Sequence, residues 1–416
     1  MESNKVKIGC LSPLVMALAI MSLPGCNSNS AQSAGHSNQT AVNSNGLSAQ
    51  TLELGITSVP ENLSVTFSSK LKFNRYTKVM ASNGKAIHIV AQDKLSDNQI
   101  VRARSILEHY LAPYSGSVYG ANKTAIANKM TENNATLLLL NGSDDGTNPA
   151  AELDGQPLYQ NEIQVEGHSW YINQNYDHRD AAFEEILHMV HDYGIGVDQN
   201  ERFVGALPAY QAEIRSAQVR ALTDNLWGIG SGNKAWIQEL TAENSLSQEY
   251  LAAVVDSFYG LWGAWSGSNT NGMWGLYIAK TRAEISSEDM LGAQLMANKF
   301  FHPYLTYNAR IDESFKGDFS LRLDPKKPYT HHSQYLKDVT LTGSNASNVI
   351  VNQFDNKITG NSGTNKVLFS GNSSQYIIDK QQDGIVVITD LVDSRDGVNT
   401  VNDIEELVFN DVTVFL

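Results

Sequence analysis

The residues best able to do chemistry lie in two stretches. Within 180–194 two glutamates and two histidines recur, at Glu184, Glu185, His188 and His191. Within 236–256, Glu249 and Asp256 stand among alanines and aliphatic side chains. Carboxylate oxygens and imidazole nitrogens are donors that hold zinc. On a helix, at about 100° per residue, Glu184, His188 and His191 share one stripe, and Glu185 lies about 60° round from His188. A carboxylate so placed can accept a proton from water activated by a metal on that stripe. The plainer alternative is that Glu and His form the solvated face of an amphipathic helix.

Both stretches read as helices. Phe183, Ile186, Leu187 and Val190 recur at i, i+3, i+4 and i+7, which predicts one buried face with the Glu/His stripe turned outward. Asp180 suits an N-cap and Gly194 a C-cap. In the second stretch Ser245 and Gln248 fit a capping box, and Leu251, Val254, Val255 and Phe258 supply the core face. Glu249 and Asp256 point away from that face, beside Ala252 and Ala253, which leave room for a helix or a metal to approach.

Upstream, 86–91 reads as a buried strand and 137–140 as another. Ser96 and Gln99 form a capping box that opens a helix burying Ile100, Ala103, Ile106, Leu107 and Leu111. Segments 162–165 and 170–172, around Gly167, read as a hairpin, and 209–224 as a further helix. The stretch from Phe258 to Tyr277 is rich in Trp, Tyr and Gly. It reads first as packing around helix ends, and second as a platform for sugar rings or extended peptides.

The two helices resemble the metal-binding pair of the gluzincin metallopeptidases, in particular the anthrax lethal-factor type. Glu249-Tyr-Leu-Ala252 is similar to that family's third-ligand segment, sixty-one residues after His188. The resemblance implies that His188 is a zinc ligand and Glu185 the catalytic glutamate. The family's first motif histidine is replaced by Glu184. Glu184 can itself be a ligand, His191 can supply the missing nitrogen, or the site is inactive. Asp256 is a candidate to orient a ligand histidine from behind.

The chain has 416 residues and a net charge of −14 with no basic cluster, which argues against nucleic acid as a partner. A basic start (Lys5, Lys7) and an apolar run over 8–23 end in Leu23-Pro24-Gly25-Cys26, which resembles a bacterial lipobox. That implies a leader over 1–25, lipidation of Cys26 and, with Asn27 following, anchoring in the outer membrane. The other cysteine, Cys10, lies inside the leader, so no disulfide is expected after cleavage. Small polar residues over 26–50 read as a flexible tether.

Past Pro325-Lys-Lys-Pro328 the texture changes to short strands and Asn/Gly turns. Asn348, Asn356 and Asn365 are each followed two residues later by Ile350, Ile358 and Val367. This unit, with the tail from Asp383 to Phe409, resembles an RTX nonapeptide β-roll, in which turn aspartates bind calcium. Here asparagine stands at most of those positions, and a neutral amide is a weaker calcium ligand than a carboxylate.

The expectation is therefore an α+β protein: a zincin-like helix-and-sheet domain over 51–328 and an all-β, RTX-like β-roll or β-sandwich module over 329–416. The expected function is a surface-anchored zinc metallohydrolase acting on peptide-like substrates. The alternatives are a non-catalytic binding or adhesion protein, and a metal-independent protein acting on polysaccharide through Glu184 or Glu185 with Glu249.

Overall fold

The computed structural model describes residues 46–176, 179–200, 202–267, 271–381 and 383–416. The leader, Cys26 and nearly all of the tether lie outside the described residues. The fold is α+β, with three mixed sheets.

The first sheet holds β1 (Phe73–Met80), β2 (Ala86–Gln92), β3 (Thr136–Leu140) and β4 (Gln156–Tyr159), in that order, with β1 antiparallel to β2 and the rest parallel. Alternation divides its side chains between two faces. Ile87, Ile89, Leu137, Leu139 and Leu158 join the main core, whereas Val90, Leu138, Leu140 and Tyr159 pack on Phe67 and Phe73 in a smaller one. A parallel crossover needs intervening helices. After a short α1 (Ala49–Glu53) ahead of the sheet, these are α2 (Asp97–Leu111) and α3 (Thr124–Glu132), between β2 and β3. Ser96 and Gln99 make the expected capping box at the start of α2.

Beyond β4 come α4 (Ser169–Asn173), α5 (Ala182–Val190), α6 (Pro208–Thr223), α7 (Lys234–Glu243), α8 (Leu246–Phe258), α9 (Arg282–Glu288) and α10 (Met290–Met296). The hairpin expected over 162–172 is instead a 3₁₀ turn (Gln160–Glu162) followed by α4. Gly167, at φ 88°, lies so close to Ile311 that a Cβ would clash, so this segment packs on a distant strand rather than on itself. No described helix is long and apolar enough to cross a membrane.

The first six C-terminal strands alternate between two sheets. One contains β5 (Leu305–Ile311), β7 (Leu336–Leu341), β9 (Asn356–Thr359) and β13 (Val398–Asn402), paired in parallel, then β12 (Val386–Asp390) and β11 (Tyr376–Lys380), paired antiparallel. The other contains β6 (Gly317–Ser320), β8 (Ser347–Ile350), β10 (Lys366–Leu368) and β14 (Glu406–Val408) in parallel, closed by antiparallel β15 (Thr413–Phe415). β5 and β6 precede Pro325, so the two sheets begin earlier than the change in texture suggests. The Pro-Lys-Lys-Pro segment connects β6 to a short α11 (Thr330–Ser333) within this part of the chain.

Val339 pairs with Ile358, nineteen residues on, and Val349 with Val367, eighteen on. The inward residues are Ser347 and Val349, then Asn356 and Ile358, then Asn365 and Val367. The first copy is thus offset by one from the expected Asn348/Ile350 pair, and a one-residue offset exchanges the two faces of a strand. Corrected, the inward unit recurs every nine residues.

Asparagine side chains, those of Asn356 and Asn365 buried and that of Asn361 partly so, tie successive coils together. Asn356 Nδ2 donates to Lys337 O at 2.8 Å, Asn365 Nδ2 to Ser347 O at 2.8 Å, and Asn361 Nδ2 to Thr342 O at 3.0 Å. An aspartate, which has no donor when ionised, cannot make these bonds.

Candidate metal centre

α5 occupies the middle of the α+β layers, against α2 on one side, α8 on another and β4 beneath. The apolar stripe packs as expected, with the Phe183 ring 6.4 Å from Tyr110 and 5.9 Å from Tyr259. The Glu/His stripe does not face solvent. Every residue of α5 is buried, because α8 covers the face that periodicity alone left open. The expectation of an outward stripe is therefore corrected.

The helix ends also differ from expectation. Asp180 is not the N-cap; that position is Ala181, without a side-chain cap. The Asp180 carboxylate still accepts from Ala182 N at 3.3 Å, but its main partner is Arg102, at 3.0 and 2.5 Å, and Arg102 also pairs with Glu166 at 3.1 Å. This buried network fixes the entry of α5 against α2. At the other end the chain widens into a π-helical turn (His191–Ile195), a form that recurs at functional sites. Gly194 is needed for contact with Ile126 and Met130 of α3, and the glycine with positive φ that ends the turn is Gly196, at φ 103°. α8 begins as expected at Leu246, but Ser245 makes no side-chain cap. Gln248 instead hydrogen-bonds Asp192.

Four of the named residues converge. His188 Nε2 lies 3.8 Å from Glu249 Oε1, and His188 Nδ1 lies 3.6 Å from Glu185 Oε2. The same Glu185 oxygen accepts from Gln156 Nε2 of β4 at 2.8 Å. Ligand atoms of Glu184, Glu185 and His188 all lie within 4.8 Å of one another. Glu184 is in an ion pair with Arg179. The imidazole of His188 therefore sits between Glu185 and Glu249.

His191 does not belong to this group. The π-turn alters its phase, and its Nε2 meets Gln211 Oε1 of α6 at 2.6 Å. Burial pushes its pKa down to about 4, so it is neutral. Asp256 accepts from Trp262 Nε1 at 3.4 Å and helps line a cleft of about 10 Å³ with Arg179, Trp170, Tyr176 and Trp262. That is room for about one water molecule. Trp262 and Tyr277 are fully buried, so this aromatic stretch is largely core packing. A separate cavity of about 560 Å³, lined by Arg104, Glu108, Arg310 and Asp338 among others, contains none of the converging residues.

No protein-family model matches this chain, and no curated protein matches it.

Charge balance is the distinctive property of the centre. Glu184, Glu185, Asp192, Glu249 and Asp256 are all buried, facing the guanidinium of Arg179 and the imidazole of His188. Ionised carboxylates without partners are costly in a dry interior, so such a set must hold protons or a cation. Burial raises the pKa of Glu249, with His188 opposing and Glu185 adding to the shift. Burial likewise raises Asp256, opposed by Arg179, and raises Glu162, to which Glu185 adds. Asp192 is pushed up to about 6 by burial, with His188 opposing. The donor set of one imidazole and several carboxylates fits zinc chemically. Two ligand atoms of a tetrahedral zinc ion are roughly 3.3 Å apart, so the His188–Glu249 separation needs only slight contraction.

Arg179, Asp192 and Gln156 were not identified from sequence. Each reaches the centre from another turn or element, and no spacing rule within one helix points to them.

Proposed function

We propose that this chain is an envelope-anchored protein whose α+β part binds zinc between α5 and α8 and hydrolyses a peptide-like substrate. One observation carries the reading. His188 Nε2 and Glu249 Oε1, from two helices, approach to 3.8 Å in a buried centre with surplus carboxylates. The zincin-like reading is supported by this helix pair packed on a mixed sheet. The RTX-like β-roll reading is supported by the alternation of strands between two sheets and the nine-residue inward unit. Anchoring through Cys26 rests on the lipobox resemblance.

His188 and Glu249 would hold the metal, with Glu184 completing the set. A zinc ion, when bound, would supply Lewis acidity at the carbonyl oxygen of the amide whose C–N bond is cleaved by water. Glu185, tethered by Gln156, sits beside His188 Nδ1, where it would orient the ring; the acid–base role comes to it from the gluzincin resemblance. Burial of the whole centre strengthens its electrostatic interactions by lowering the local dielectric.

The test is metal stoichiometry on the purified full chain, by elemental analysis, alongside hydrolysis of a peptide library. His188→Ala and Glu249→Gln should lose zinc and hydrolysis together, whereas Glu185→Gln should keep zinc and lose hydrolysis. Equal zinc content in the wild type and in both His188→Ala and Glu249→Gln would refute the site. The non-catalytic binding reading is favoured by one observation, the ion pair that already engages Glu184, and it predicts no metal-dependent hydrolysis at all.

A further inference from the structure

Glu184 stands where the gluzincin pattern has a histidine, and its carboxylate is paired with Arg179. Arg179 reaches the centre from the segment just before α5, not from either ligand-bearing helix. It is buried, with its guanidinium carbon 5.7 Å from the centre of the Trp274 ring. Trp274 and the preceding Met273 both adopt left-handed backbone conformations, at φ 52° and 49°. For non-glycine residues these cost energy, which surrounding contacts must offset. Trp274 Nε1 donates to Tyr176 O at 3.0 Å, fixing the indole beside the segment that carries Arg179. The guanidinium is therefore held in a built cradle.

Arg179 meets Glu184 as a cation and can free that carboxylate only by moving away from it. A divalent ion and Arg179 both require the negative charge of Glu184. We infer that Arg179 is a resident counter-cation that competes with divalent metal for Glu184, so that loading of the centre requires its displacement. The inference rests on the metal reading above and adds a closed state, in which Arg179 balances Glu184, and an open one, in which Glu184 turns to the metal held by His188 and Glu249. It also accounts for a carboxylate at this position: an imidazole there would have no charge with which to hold the guanidinium.

The experiment measures zinc affinity of the full chain by competition with a chromophoric chelator, with circular dichroism as a check on folding. Arg179→Gln should bind zinc at least tenfold more tightly than the wild type. Adding Glu184→Gln to it should abolish that gain. Arg179→Lys, which keeps the charge but not the forked geometry, should fall between the wild type and Arg179→Gln and guards against misfolding of the glutamine variant. If Arg179→Gln binds zinc no more tightly than the wild type while His188→Ala abolishes binding, the competition is refuted and the metal site stands. If neither the wild type nor Arg179→Gln binds zinc, both readings fall.

Discussion

Lys123 should make this protein less stable at neutral pH than at alkaline pH. The residue is 2% exposed, its Nζ donates to Tyr110 O at 2.8 Å, and it lies 3.9 Å from the centre of the Phe300 ring. The nearby histidines, His109 and His302, have pKa values lowered by burial first and by Lys123 second, so neither offers a countercharge. Burial brings the Lys123 pKa down from 10.5 to about 7. Because the folded-state value lies below the unfolded one, the unfolded chain binds more protons between pH 7 and 10.5. Stability contributed by this group is complete above the unfolded value and is lost as pH falls through the folded one. The depression corresponds to about 5 kcal/mol well below pH 7 and about 4 kcal/mol at pH 7. Lys123→Met removes that cost, along with a hydrogen bond and a cation–π contact worth about 1 kcal/mol each. The variant should therefore be about 2 kcal/mol more stable than wild type at pH 7, with the difference shrinking and reversing by pH 10. Urea denaturation of both proteins across that range measures it. A difference that stays flat with pH would mean Lys123 titrates as in water, and the burial reasoning would fail.

Arg102→Met should destabilise the protein by about 3–5 kcal/mol, because it strands the buried carboxylates of Glu166 and Asp180; urea denaturation showing a loss below 1 kcal/mol would contradict the role given to this network. Asn365→Asp should cost about 1–3 kcal/mol by deleting the donor to Ser347 O. Millimolar calcium should neither rescue that variant nor raise the melting temperature of the wild type appreciably; a large calcium-dependent rise in thermal unfolding would show that the turns hold ions. Cys26→Ser should abolish fatty-acid labelling and shift the protein from membrane to soluble fractions; unchanged labelling would refute the lipobox reading.

Much of the fold was legible because it depends on residues within one or two turns of each other. The Ser96/Gln99 capping box, the apolar spacing of α5 and α8, and the aliphatic runs of β2 and β3 each specify an element locally. The nine-residue unit was visible too, though its first copy was offset by one. Alternate residues face opposite ways, and Asn348-Val-Ile350 offers apolar residues on either phase. The 162–172 segment has the local pattern of a hairpin, but it packs on the end of β5 around Ile311 rather than on itself.

For the candidate centre, sequence alone determined that α5 and α8 are helices carrying His188, Glu185, Glu184 and Glu249 on faces that can meet, since periodicity fixes which residues share a face. Only the tertiary structure decided what those faces meet. α8 covers the stripe that spacing left open to solvent, the π-turn sends His191 to Gln211, and Arg179 arrives from outside both helices to pair with Glu184. The physical reason is that a helix face has the same periodicity whether water or another helix lies against it. The cost of burying five carboxylates, and the cation that balances it, arise only once the elements are packed together.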